Sequence, residues 1–263
     1  MPPLLSNRLR IVLVAVGFNL LFEYSIRGFN NVALIPALAF VLPLTYFSLF
    51  MMVEDLILRY RLQDRHLVLL AMGYATAYDW LTSGILVARP GDFAIDWGAL
   101  LFIGLVWWAA LQAVLTFYLA NRLTPRDWNR PRLTSGGWVA MILLNTAMVL
   151  LFQLNPNLPR ASVPEALALL GIILAFFALC ARFLPRPAMR VQIPVFRRSR
   201  VLDLLAASTV VVFFVSATFL SDTRFVGTSL INASSLALII PWTLFVAVVL
   251  LAYRLKTRTP ISV

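Results

Sequence analysis

Glu23 and Asp79 stand inside long apolar runs of the chain. An ionisable side chain at the centre of a membrane helix costs about 2.5–3.5 kcal/mol even on a lenient insertion scale, so each needs a partner or a task. The tasks open to a carboxylate at that depth are holding a cation and carrying a proton. Each also belongs to a polar stripe. Asn19, Glu23 and Arg27 recur at every fourth position, and Thr76, Asp79, Thr82 and Ser83 follow three- and four-residue spacing, so each set shares one helix face. One reading has both stripes lining an aqueous or substrate cavity open to the outside. The other pairs Glu23 with Arg27 on its own helix and holds Asp79 by hydroxyls or by a neighbouring helix.

Three further groups of polar residues invite chemistry. Gln112 and Asn145 are also deep in apolar runs, where side-chain amides commonly hydrogen-bond between helices. Glu54 and Asp55 close an apolar run just before Arg59 and Arg61, and are expected to form a solvated charge network at the membrane interface. The segment from Arg182 to Arg200 carries six arginines, three prolines and no acid. Its Arg186, Arg190, Arg197, Arg198 and Arg200 make a candidate cytoplasmic patch for anionic lipid or for an acidic partner surface. The anchor role is favoured, because the other inner segments are basic too.

Composition removes most other chemistries. The 263 residues are 61% hydrophobic and 13% charged, against about 45–50% and about 25% in soluble domains. A soluble enzyme, a disordered tail and a secreted disulfide scaffold are excluded. Cys180 and His66 are the only residues of their types, so no zinc–thiolate cluster, multi-histidine zinc site or bis-histidine haem is expected. Lys256 is the only lysine and follows the last apolar run, which leaves no lysine for a retinal Schiff base. Phosphate-cradling glycine loops, Ser/His/Asp sets and His-Glu-x-x-His are lacking. The net charge of +11 has its simplest source in loop arginines rather than in a nucleic-acid-binding face.

The elements that position these residues are membrane helices. Apolar stretches predict eight spans over 9–26, 32–54, 66–88, 97–120, 136–154, 163–183, 201–220 and 232–254. With the N-terminus in the cytoplasm, 18 of the 22 basic residues fall on the inner side, and Arg27, Arg89, Arg160 and Arg224 fall one to each outer loop. That alternation is the positive-inside pattern, and it puts both termini in the cytoplasm. Residues 1–263 are thus expected to form one transmembrane domain, an all-α polytopic bundle without a cleaved leader. Ser162-Val-Pro-Glu165 reads as the capped start of the sixth span. The arginine-rich usage fits a bacterial inner membrane, with the anionic cytoplasmic leaflet and other membrane proteins as partners and nucleic acid excluded.

One family resemblance touches these residues. Glu54-Asp55-Leu-Ile-Leu-Arg59 resembles a variant of the paired-glutamate-x-x-x-Arg motif of the CAAX-protease-like membrane family. Tyr74-Ala-Thr-Ala-Tyr78 and Asn145 occupy places comparable to that family's aromatic-x-x-x-His and second histidine. The resemblance implies an inactive relative, since both histidines are missing. The reading taken from the residues themselves is a non-enzymatic transport or channel component, or a structural subunit of a membrane complex. The alternative is an intramembrane enzyme acting on lipid-like substrates with a carboxylate as base.

Overall fold

The computed structural model describes residues 6–30, 32, 36–87, 95–154, 158–184, 199–220 and 233–258, and among them no strand occurs. The long helices are α1 (Asn7–Arg27), α2 (Pro36–Tyr60), α3 (Asp64–Thr82), α4 (Trp97–Leu123), α5 (Ser135–Phe152), α6 (Val163–Arg182), α7 (Arg200–Leu220) and α8 (Ala233–Arg258). Local chemistry sets several of their starts. Asp96 accepts from the Ala99 amide at 2.9 Å to open α4, and Thr134 accepts from Gly137 at 3.1 Å to open α5. Ser162 and Glu165 form a capping box at α6, with the Ser162 amide donating to Glu165 at 2.7 Å.

Seven of these helices are long and apolar enough to cross a membrane. The chain is therefore a helical integral membrane protein by length and composition. The helix that falls short is α3, whose 19 residues include Asp64, Arg65, His66, Thr76 and Asp79. Its surroundings explain how it tolerates them. Packing encloses it: His66, Leu67, Ala71, Met72, Gly73, Ala75, Thr76 and Tyr78 are buried. A helix covered by protein has less need of an apolar outer face.

The chain divides into two compact units. The first comprises Met1–Gly17 and Phe40–Arg197. Within it α3 and α6 run antiparallel along their whole length. At one end the His66 ring bonds the Phe183 carbonyl at 2.7 Å, and the Cys180 thiol lies 3.7 Å from the His66 carbonyl. At mid-length the Gly73 backbone presses on Phe177, where a Cβ would come within 2.9 Å of the ring. At the far end Gly84, at φ +64°, sits against Pro159, whose carbonyl oxygen would be 2.7 Å from a Cβ. Only glycine meets both conditions there.

On its other side α3 meets α4, where Gly104 lets Met72 approach. Residues Phe102–Leu115 of α4 are wound as a π-helix, a form rarely sustained beyond a single turn. The Thr116 hydroxyl follows that winding and bonds the Leu111 carbonyl, five residues back, at 2.9 Å. Trp108 from this stretch packs on Tyr74 and Tyr78 with ring centroids 5.3 and 5.2 Å apart. Helices α2 and α5 are also antiparallel: Trp138 reaches Asp55 near one end, and Asn145 reaches Ser48 and the Thr45 carbonyl further along.

The second unit comprises Phe18–Ala39 and Arg198–Val263. Here the second half of α1 and α7 run parallel. Phe22 packs edge-on against Phe213 at 4.8 Å, the Ser216 hydroxyl donates to the Ser25 carbonyl at 2.8 Å, and the Phe29 amide donates to the Ala217 carbonyl at 3.1 Å. Trp242 of α8 donates to the Thr209 hydroxyl of α7 at 3.2 Å.

Candidate functional site

The densest polar chemistry in the first unit lies at the end of α2. Glu54 and Asp55 are expected from the chain order to be solvated beside Arg59 and Arg61. The structure corrects this: both carboxylates are 0% exposed. The missing partners come from far along the chain. The Arg126 fork donates to both Glu54 oxygens at 2.6 and 2.7 Å, and Arg130 also bonds Glu54. Asp55 accepts from Arg8 at 3.0 Å and from the Leu133 amide at 2.6 Å on one oxygen. Its other oxygen accepts from Arg59 at 2.9 Å and from the Trp138 indole at 3.0 Å.

The sequence places these partners by simple means. Arg8 lies in the first turn of α1, Glu54 and Asp55 lie in the last two turns of α2, and Trp138 lies in the first turn of α5. Arg126 and Arg130 belong to the 124–134 connection between α4 and α5. Asn7 ties that connection down: its amide donates to the Pro125 carbonyl at 2.9 Å, and its oxygen accepts from the Asp127 amide at 3.0 Å and from Arg130 at 3.1 Å. Arg61 does not join the carboxylates. Its guanidinium lies over the Trp128 ring, 4.2 Å from the centroid.

Charge-assisted, bidentate bonds of this kind are the strongest available to side chains, and they fix geometry as well as energy. Burial pulls the Arg130 guanidinium below its ordinary range, Glu54 opposes that pull, and the neighbouring Arg126 and Arg8 add to it. The group stays charged, since arginine does not deprotonate in proteins. Both oxygens of Glu54 and both of Asp55 are occupied by cationic or N–H donors. A carboxylate so held is a fastening and a poor general base.

The polar stripes have a different character. On α1, Glu23 is buried and its carboxylate meets Arg27 at 3.2 Å, one turn on in the same helix. Asn19 is fully buried. On α3 the hydroxyls turn back to their own backbone: Thr76 bonds the Met72 carbonyl and Thr82 the Tyr78 carbonyl, both at 2.8 Å, and Ser83 bonds the Asp79 carbonyl at 2.9 Å. Asp79 itself is half-buried. The two stripes belong to different compact units. Of the basic patch, Arg186, Arg190, Arg197 and Arg198 lie outside the described residues, and Arg200 is exposed at the start of α7.

The two deep amides both bridge helices. Asn145 of α5 accepts from the Tyr74 hydroxyl at 3.2 Å and donates to Ser48 at 3.0 Å, and Gln112 of α4 donates to the Tyr46 hydroxyl at 3.1 Å. Tyr74 and Asn145, the residues compared with a protease-like motif, are thus bonded to each other. Their level on α2 is Ser48, six residues or roughly 9 Å along the helix from Glu54. Among the described residues, no group of three or more His, Cys, Asp or Glu side chains is placed to hold a metal ion. Against known proteins, the chain matches no family model, no curated protein and no solved structure.

Proposed function

We propose that this chain is a non-enzymatic structural subunit of a membrane complex, a multi-pass protein of a bacterial inner membrane that crosses it eight times with both termini in the cytoplasm. The helix directions support the count. If every long helix crosses, α1 and α7 run parallel, α2 and α5 antiparallel, and α3 and α6 antiparallel, as their contacts have it. If α3 alone failed to cross, the first two relationships would be reversed.

The observation that carries the structural role is where the polar groups point. Glu23, Glu54 and Asp55 are held by arginines, and the α3 hydroxyls by their own backbone. The apolar surface is turned outward instead: only 6% of the α5 window and 22% of the α6 window is buried. A carrier needs polar groups offered to a wet path, whereas a subunit needs a firm interior and a broad apolar exterior. Purification of the tagged chain from membranes in mild detergent tests this. A discrete membrane protein in fixed ratio is the expected result. A lone monodisperse chain that moves a solute in proteoliposomes, with the flux lost in Asp79→Asn, would overturn it.

A further inference from the structure

Among the described residues, the buried network of α2 does not balance. Four guanidiniums, those of Arg8, Arg59, Arg126 and Arg130, are paired with the two carboxylates of Glu54 and Asp55. Three of the four are nearly sealed, with side chains 11% (Arg8), 1% (Arg126) and 6% (Arg130) exposed. Charge held away from water without compensation is costly, and it is normally neutralised by a partner. The donors show the same deficit. The Nε–H groups of Arg8 and Arg130 are buried without a hydrogen-bond partner among the described residues, on residues that are each 9% exposed. A third sign is Asn7, whose neutral amide oxygen takes both a guanidinium and a backbone N–H.

We propose that this cluster is a binding site for a phosphate group, supplied by the head group of an anionic phospholipid of the cytoplasmic leaflet. The surplus is positive, the free donors are guanidinium N–H groups suited to phosphate oxygens, and a membrane surface presents such oxygens at high density. The head group takes the place of the Asn7 oxygen at the rim and reaches the Arg8 and Arg130 donors beneath. The source of the phosphate rests on the reading that this end of the bundle meets the cytoplasmic leaflet.

The full chain, purified in a neutral detergent, tests the site by thermal unfolding at fixed ionic strength. Phosphatidylglycerol is expected to raise Tm by at least about 3 °C at saturation, with phosphatidylcholine inert. Arg8→Gln removes one donor and one charge yet leaves Asp55 held by Arg59, Trp138 and Leu133. It is expected to weaken the apparent affinity about tenfold or more. Asn7→Asp places an anion of the chain's own at the rim, and it is expected to raise Tm in neutral detergent and abolish the lipid response. An equal response to inorganic phosphate supports the site and overturns the lipid as its source. If neither probe shifts Tm and Asn7→Asp gives no gain, the site is overturned. Alkaline extraction separates this from the membrane reading: a chain released from membranes sinks that reading, and one retained but indifferent to both probes sinks the site alone.

Discussion

Asp55 and Trp138 stand 83 positions apart in the chain and are joined by a 3.0 Å hydrogen bond from indole to carboxylate. Trp138 is thus a donor to a buried acid. It fixes the first turn of α5 to the last turns of α2, on a carboxylate that Arg8 and Arg59 also grip. Three helices and one connection converge on a single side chain.

Glu54→Gln and Asp55→Asn are each expected to deplete folded protein sharply. Removing one charge strands buried guanidiniums, at a cost of about 3–5 kcal/mol. The measure is the folded fraction in detergent by size exclusion and thermal melting. Asp127→Asn, at an exposed position, is expected to stay within about 0.5 kcal/mol of the parent. Equal behaviour of all three would show that the α2 network contributes nothing to the fold.

Glu23→Gln is expected to be milder than Glu54→Gln, although both carboxylates are buried. The partner decides the difference. Arg27 ends α1 with its side chain 19% exposed, so it can turn toward water when the pair is broken. Arg126, at 1%, has no such route. The comparison is the drop in Tm of the two variants measured side by side, and a larger drop for Glu23→Gln contradicts it.

Gly73→Ala and Gly84→Ala are both expected to destabilise, for different reasons. At Gly73 the obstacle is the Phe177 ring, so the cost is overpacking of about 1–3 kcal/mol and Phe177→Leu recovers part of it. At Gly84 the obstacles are the Pro159 carbonyl, the Pro159 ring carbons and a positive φ, and a side-chain change at Pro159 relieves only the ring and leaves the other two. Full rescue of Gly84→Ala by a substitution at Pro159 would contradict this assignment.

Single cysteines in a Cys180→Ser background test the crossing count. Ser83→Cys and Arg160→Cys are expected to react with an impermeant thiol reagent from outside, and Asn129→Cys only after the membrane is opened. All three positions are exposed. Labelling of the 129 position from outside, with the 83 position protected, would remove α3 from the membrane-crossing set.

The helices were legible in the chain because a span needs a long apolar run and a capped start, and both are local signals. Ser162 with Glu165 is an instance: four consecutive residues contain the whole device. The α3 stretch was legible as a helix too, but its hydropathy says little about burial, since its cover comes from neighbouring helices, Phe177 of α6 against Gly73 and Gly104 of α4 against Met72. The spacing of a stripe puts its residues on one helix face, yet a threonine's spacing does not reveal that its hydroxyl turns back to the carbonyl four residues earlier, as Thr76 does. The α2 network was the least legible part. Two adjacent acids followed by Arg59 and Arg61 look like an exposed charge cluster, and the arginines that bury Glu54 lie 72 and 76 positions away. Only the tertiary fold selects Arg126 and Arg130 from a connection that also holds Arg132.

The composition of α3 has a consequence for how the protein is made. A segment carrying Asp64, Arg65, His66 and Asp79 has little tendency to partition from the translocon into lipid by itself. The helix that covers its Gly73 face, α6, begins at Val163 and leaves the ribosome only after some eighty further residues have been synthesised. On the proposed eight-crossing topology, α3 is expected to wait through that interval in a protein-lined or watery vestibule and to integrate only when α6 arrives. Nascent chains halted before Val163 should therefore hold α3 in a state still open to aqueous reagents, and those extended past Arg182 should close it.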